Sequence, residues 1–229
     1  MTSSGIPLDK LGALVDEVDA AASLLRHGLA VLKSYRFAAR DAYAVFVCLA
    51  GGAEKLLKLS AGMNSLHETG VWPSKATMQG WSHDIVGMER HVRAVIVAQQ
   101  DRSTVPGYMA ELLDAVDADP YIDSILETLG TYARGGRFFN LDHLASASQP
   151  YPSPRELWEG LHHKLTTVRP ELLAKLSSAS TSDAARAEMN GHIIESFVGW
   201  QELITRAWRT KVFGDEAKRW ASQLAPAAP

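Results

Sequence analysis

The sequence predicts an all-α protein, and three observations support that prediction. Apolar residues recur at steps of three and four along most of the chain, which is the period of an amphipathic helix. Helix start signals (Ser, Asp or Pro) and stop signals (Gly) bound several of these segments. No segment shows the alternating pattern of a half-buried strand. We therefore expect a bundle of helices.

Length, composition and charge are those of a globular protein. The chain has 229 residues, of which 46% are apolar and 21% charged, and a chain of this size buries roughly 70–75% of its unfolded surface without a disulfide or metal. Its single cysteine, Cys48, cannot form an intrachain disulfide, which fits a reducing compartment. No signal peptide or membrane-spanning run is apparent, so we expect a cytoplasmic protein. A net charge of −3 argues against broad coating of nucleic acid but permits a local basic site.

The first half of the chain is predicted to contain five helices and a short sixth one. The first covers 8–32 and the second about 37–61, where the apolar run around Gly51-Gly52 indicates a central buried helix approached closely by a neighbour. A loop is expected over 62–80 because of its Gly, Asn, Ser and Pro residues. Four later helices are expected. One starts near Ser82, one covers 106–116, one runs from the N-cap Asp119 to the Gly135-Gly136 pair, and a short one follows Asn140.

The second half is predicted to begin after the break "QPYPSP" at 149–154. Two helices are expected there, at about 154–177 and 183–213. The sequence thus predicts a bundle over 1–150 and a C-terminal helical extension over 151–229, packed on the bundle or forming a dimer interface. Its tryptophans favour a strongly packed helix in the core or at that interface over base stacking.

The stretch "RGGRFFNLDH" at 134–143 is the main candidate for a functional site. Asn140 is a suitable N-cap, and His143 would then lie in the first helical turn, where the helix dipole favours a neutral imidazole that can accept a proton. Arg137 can hold a phosphate bidentately. The alternative is a structural role, in which Arg134 and Arg137 form a solvated helix end and His143 packs against an aromatic ring.

Three further groups of residues are weaker candidates. Glu54 and Lys58 can pair at i,i+4, and His83 precedes a helix as a cap, a buried residue or a site residue. Glu159 and His162 have a metal-ligand spacing, and Glu188, His192 and Glu195 share a helix face. Exposed charge explains these last two groups better than metal binding, so no metal or other cofactor is expected.

Three of these segments, taken in order, resemble the HEPN superfamily of helical-bundle domains, which are found in many prokaryotic toxins, defence proteins and RNases. They are "GAEKLLKL" at 52–59, "SHDIVGM" at 82–88 and "TYARGGRFFNLDH" at 131–143, and the last contains Arg137, five residues and His143. The resemblance covers about 35–150 and implies an HEPN-like bundle with additional C-terminal helices. It also implies a composite Arg/His site in a homodimer, with Glu54, Lys58 and His83 as polar support.

The function implied by this resemblance is a metal-independent endoribonuclease of the toxin or phage-defence type. Arg137 would bind phosphate and His143 would act as acid or base on single-stranded RNA, with Arg134 and Asn140 as auxiliary residues. An antitoxin or another protein could be a partner. The alternative is a non-catalytic HEPN-like module that binds a nucleotide, an RNA or a protein. Phe138 favours it, because nuclease members usually carry a polar residue after the arginine.

Overall fold

The computed structural model describes residues 6–145, 148–149 and 151–226. Within these residues it contains eleven α-helices and no strand, which confirms the all-α prediction. The helices are α1 (Leu8–Lys33), α2 (Ala38–Thr69), α3 (Lys75–Gly80), α4 (Ile85–Gln99), α5 (Pro106–Asp117), α6 (Ile122–Arg134), α7 (Phe139–Leu144), α8 (Pro154–Val168), α9 (Pro170–Leu176), α10 (Ser182–Arg209) and α11 (Gly214–Leu224). Short 3-10 turns lie at Gln100–Arg102 and Gly136–Phe138.

Helix α2 is the centre of the bundle. It packs against α1, α4, α6, α8 and α11, and its apolar side chains are buried on most sides. The α1–α2 contact is the most extensive one, and glycines make it close. A Cβ on Gly28 would lie 2.4 Å from Leu49 Cδ2, and one on Gly52 would lie 2.8 Å from Leu25 Cγ. The expected close approach at Gly52 is therefore confirmed.

The C-terminal helices share the core of the first half. The indole Nε1 of Trp208 in α10 donates a hydrogen bond of 2.7 Å to Ser60 Oγ in α2, and both residues are fully buried. Asn190 Nδ2, also in α10, donates to the Tyr35 carbonyl oxygen at 2.8 Å. Because buried polar groups require partners, these two bonds fix α10 against the α1–α2 pair. Of the tryptophans in the last predicted helix, Trp200 and Trp208 are fully buried, as expected for core residues, and Trp220 is half-buried. Trp158 is also fully buried.

Helix boundaries differ from the prediction at several places. Helix α2 continues for eight residues beyond the expected end, because Met63 and Leu66 are buried and the stop is Gly70, in a left-handed conformation with φ 73°. The N-cap of α4 is Asp84, whose carboxylate accepts from Gly87 N at 3.2 Å. The second half contains four helices in place of two, since Pro170 separates α8 from α9 and α11 follows α10.

The part of the chain that the structure describes contains no helix with the length and apolar content needed to cross a membrane.

The glycine contact between α1 and α2 gives a stability prediction. Gly28→Ala places a methyl group against both the side chain and the backbone of Leu49, and we expect a loss of roughly 1–3 kcal/mol from overpacking. Gly12→Ala in the same helix meets nothing within 4 Å, and we expect a gain of up to about 1 kcal/mol from helix propensity. Urea unfolding of both variants measures the difference. Equal stabilities would contradict the close packing of α1 on α2.

Candidate nucleic-acid interface

The connection between α6 and α8 packs closely against the start of α8 at Gly136. Gly136 is buried, and a Cβ there would lie 2.3 Å from Pro154 Cγ and 2.9 Å from the Thr131 carbonyl oxygen. Gln149 Nε2 donates to the Phe139 carbonyl oxygen at 3.2 Å. The beginning of α8 therefore lies directly against the 3-10 turn that carries Arg137. We refer to the surface formed here as the corner, consisting of Tyr43, Arg134, Arg137, Phe138, Asn140, His143, Tyr151 and Arg155.

Arg137, Asn140 and His143 lie on one side of the helical segment formed by the 3-10 turn and α7. Their spacing of three residues places Arg137 and His143 on either side of Asn140. Asn140 Nδ2 donates to the Tyr43 hydroxyl at 3.0 Å, and the Tyr43 ring packs on Phe46 and Tyr132. This bond orients α7 on α2 and leaves Arg137 and His143 exposed at the edges of the contact.

Two predictions about α7 are wrong. Its N-cap is Phe138, not Asn140, and Asn140 is the second helical residue. His143 lies in the last turn of α7 and not in the first. The reason is that the 3-10 turn runs directly into α7, so helical geometry begins before Asn140. The positive end of the helix dipole is thus remote from His143, and the expected reason for a neutral imidazole does not apply.

The three arginines of the corner differ in their contacts. The guanidinium of Arg137 lies 5.2 Å from the Phe138 ring and has no carboxylate partner among the described residues. Arg134 lies 5.4 Å from the Tyr151 ring and 3.7 Å from Asp84, whereas Arg155 donates to Glu159 at 2.8 Å. Cation–π contacts of this kind hold a guanidinium without neutralising it. Arg137 is therefore the arginine that is most available to an anion.

Arg137 also lies near the aromatic rings behind the corner. Burial raises the pKa of the Tyr132 hydroxyl, and the positive charge of Arg137 opposes that shift. Tyr132 in turn packs on Tyr43 and Phe46. On the exposed side, the rings of Phe138 and Tyr151 lie beside Arg137 and Arg134, and neighbouring charged and aromatic groups are typical of single-stranded nucleic-acid binding.

Glu54, Lys58 and His83 form one polar cluster, of which the sequence predicted the Glu54–Lys58 pair. Lys58 Nζ donates to Glu54 Oε1 at 2.7 Å, and His83 Nδ1 donates to Glu54 Oε2 at 3.0 Å. Burial works to raise the pKa of Glu54, but the hydrogen bonds from Lys58 and His83 outweigh it, so that pKa lies below its ordinary value. No hydrogen bond or ion pair within the described residues joins this polar cluster to Arg137 or His143. The connection is indirect, through Asp84 beside His83 and its ion pair with Arg134.

Glu54 and Lys58 also line a cavity of about 720 Å³ between α1, α2 and the loop before α3. Lys10, Lys55 and Trp72 contribute to its walls. Glu54 therefore lies between this cavity and His83.

The residues with a possible metal-ligand spacing make other interactions. Glu159 accepts from Arg155, and His162 packs against the rings of Tyr35 and Trp158. Glu188 pairs with Lys175 at 2.6 Å. Among the described residues, no group of three or more His, Cys, Asp or Glu side chains is placed to hold a metal ion.

Sequence reasoning missed Tyr43, Asp84, Tyr151 and Arg155 as members of the site. Tyr43 and Asn140 are 97 positions apart, and no local pattern links them. A partial signal existed for Asp84 and Arg155, since Asp is a good N-cap and Arg155 follows the proline that begins α8.

No known family model, curated protein or solved structure matches this chain. The HEPN resemblance therefore stays a prediction from three short motifs.

The polar cluster gives a pH-dependent stability prediction. The pKa of Glu54 in the folded protein lies below its unfolded value of 4.5. The ionised carboxylate therefore contributes fully to the free energy of unfolding above pH 4.5, and this contribution is lost as pH falls through the folded pKa. We expect Glu54→Gln to cost about 1 kcal/mol at pH 7 and clearly less at pH 4. Thermal unfolding at both pH values measures this.

The matched control for this experiment is Glu17→Gln. Glu17 also pairs with a lysine of α2, Lys55, but its side chain is 53% exposed. An exposed ion pair contributes little to stability, so Glu17→Gln should lower the melting temperature much less than Glu54→Gln does. An equal effect of both variants, or a Glu54→Gln effect that does not change with pH, would contradict the account.

Proposed function

We propose that the corner binds single-stranded RNA and that the protein is a metal-independent endoribonuclease that acts as a homodimer. The observation that carries the proposal is the row of Arg137, Asn140 and His143 beside exposed aromatic rings. Arg137 has no carboxylate partner among the described residues, and the Tyr43 contact holds α7 in place. Guanidinium groups bind phosphates bidentately, and aromatic rings stack on bases of any sequence.

The cleavage chemistry requires a base for the ribose 2′-hydroxyl and an acid for the leaving 5′-oxygen. His143 can perform either step but not readily both, and Arg137 can stabilise the charge that develops on the phosphate. Two copies of the chain would supply two histidines around one symmetry axis. The reaction depends on the 2′-hydroxyl, so DNA should resist it.

An apolar stripe on α7 supports contact with a second copy. Phe138, Leu141 and Leu144 are 51%, 63% and 80% exposed, and their spacing of three places them side by side next to Arg137. Exposed apolar side chains that adjoin one another mark interaction surfaces more often than isolated ones do. A second copy that covers this stripe would bring its own His143 to the same corner.

A toxin or phage-defence role follows from the HEPN resemblance. In that role the ribonuclease would be restrained until needed, by an antitoxin or by another protein partner. The work of such an enzyme would take place in the cytoplasm, where its RNA substrates are found.

A second candidate function is a non-catalytic module that binds RNA or a nucleotide at the same corner. Two observations favour it. His143 has no orienting hydrogen bond among the described residues, whereas catalytic histidines are usually held by a second group. The guanidinium of Arg137 lies against Phe138, which stands where a polar residue is usual in HEPN nucleases.

Purified protein incubated with single-stranded RNA in EDTA distinguishes the two functions. We expect cleavage products with cyclic phosphate ends, a loss of about 100-fold or more in rate for His143→Ala, and RNA binding that His143→Ala preserves. Arg137→Ala should weaken both binding and cleavage. RNA that is bound but stays intact would support the non-catalytic module. If the protein neither binds nor cleaves RNA, both proposed functions are contradicted.

The control variants are His91→Ala and Arg26→Ala. His91 and Arg26 are exposed side chains on α4 and α1, outside the corner. Both controls should cut and bind like the wild-type protein. Because His143 is itself exposed, His143→Ala should also leave the melting temperature unchanged, which separates lost chemistry from lost folding.

A further inference from the structure

The cavity of about 720 Å³ between α1, α2 and the loop before α3 lies apart from the corner, and we refer to it as the α1–α2 cavity. One face of α1 forms a wall, since its lining residues follow at steps of three and four, as in Lys10, Leu14 and Glu17. Val71 and Trp72 contribute a further wall. The volume lies within the range of about 300–1,000 Å³ that is usual for small-molecule sites.

The side chains that line the α1–α2 cavity are either apolar or charged. Leu14, Leu59, Val71, Trp72 and Met78 supply much of the apolar surface, and Val71, Trp72 and Met78 are at least partly exposed. No Ser, Thr, Asn, Gln, Tyr or His side chain belongs to the described lining. A sugar or a nucleobase needs several neutral hydrogen-bonding partners, whereas a ligand with an apolar body and one charged head group matches these walls.

The ion pairs of the cavity indicate the sign of that head group. Glu17 is paired with Lys55, and Glu54 is paired with Lys58. The fifth charged side chain of the lining, Lys10, is exposed and has no ion-pair partner among the described residues. A cationic head group would compete with a lysine for either carboxylate, whereas an anionic head group finds Lys10 unpaired.

Lys10 lies toward the end of the cavity that Trp72 covers. Helices α1 and α2 are antiparallel, as the glycine contacts between them show, so earlier residues of α1 face later residues of α2. Lys10 precedes Glu17 by about 10 Å along α1 and therefore lies beyond the Glu17–Lys55 pair, toward the end of α2. The Trp72 ring packs on that part of α2, where a Cβ on Gly62 would be 2.4 Å from ring atom Cη2. An unpaired ammonium group and an aromatic ring thus share one end of the cavity.

We propose that the α1–α2 cavity binds a fatty acid, with the carboxylate on Lys10 and the alkyl chain along Leu59, Trp72 and Met78. Burial of the chain supplies most of the affinity, and a charge-assisted hydrogen bond from Lys10 selects the anion. Met78 is an adaptable part of the wall, which suits chains of different lengths. None of the described lining residues belongs to the corner, so this site goes beyond the proposed ribonuclease function.

Isothermal titration with decanoate below its micelle concentration tests the proposal. We expect decanoate to bind more tightly, by about tenfold or more, than acetate, which is the head group without the chain. Decyltrimethylammonium, with the same chain and the opposite charge, should also bind at least severalfold more weakly. Octanoate should bind about tenfold more weakly than decanoate, because it buries two fewer methylene groups.

Two variants locate the binding in this cavity. Lys10→Ala should weaken decanoate binding about tenfold, because it removes a hydrogen bond to a charged group. The matched control is Lys33→Ala, which removes an exposed lysine at the last position of the same helix and should leave binding unchanged. Ala13→Trp places a large ring in the cavity from an exposed position, so it should abolish binding without lowering the melting temperature.

The proposal is overturned if decanoate does not bind, if decyltrimethylammonium binds as tightly, or if Lys10→Ala or Ala13→Trp binds decanoate like the wild-type protein. Residues 2–5 precede Ile6, which lines the cavity, so a variant that lacks them is titrated as well. We expect its binding to be unchanged, and binding that requires their removal would also overturn the proposal. None of these outcomes decides whether the corner binds RNA.

Discussion

The burial of α2 is the constraint on which the rest of the structure depends. This helix has neighbours on most of its circumference, and that packing fixes the positions of the polar side chains through which it contacts other elements. Tyr43 near its beginning anchors α7, Glu54 in its middle holds His83, and Ser60 accepts the indole of Trp208. The close glycine contacts with α1 allow this density.

One buried aromatic group connects the corner with the cavity that Tyr35, His162 and Asn190 line. Phe46 packs on Tyr43 and Tyr132 behind the corner, and also on Trp158, which in turn packs on Tyr35 and His162. Such rings are rigid and fill space well. The same core therefore positions the side chains of both surfaces, even though the two surfaces share no residue.

The sequence predicted the helical class and most helix positions because apolar periodicity and terminal residues are local signals. It predicted the Glu54–Lys58 pair from its i,i+4 spacing, but not the contact of Glu54 with His83. It placed Asn140 and His143 wrongly within α7, because a 3-10 turn that merges into a helix has no distinct sequence signal. The Tyr43–Asn140 bond and the Gly136–Pro154 contact join residues far apart in the chain, and only tertiary packing reveals them.

The central claim is that the arginines of the corner bind RNA phosphates, and the salt dependence of binding tests it most directly. For single-stranded nucleic acid, the slope of log K against log salt concentration is about −0.7 for each phosphate neutralised. Titrating an uncleavable 2′-fluoro RNA, we expect Arg137→Ala to reduce the slope by about 0.7 and the triple variant of Arg134, Arg137 and Arg155 by about 2. Arg26→Ala should leave it unchanged. A triple variant with the slope of the wild-type protein would contradict the claim.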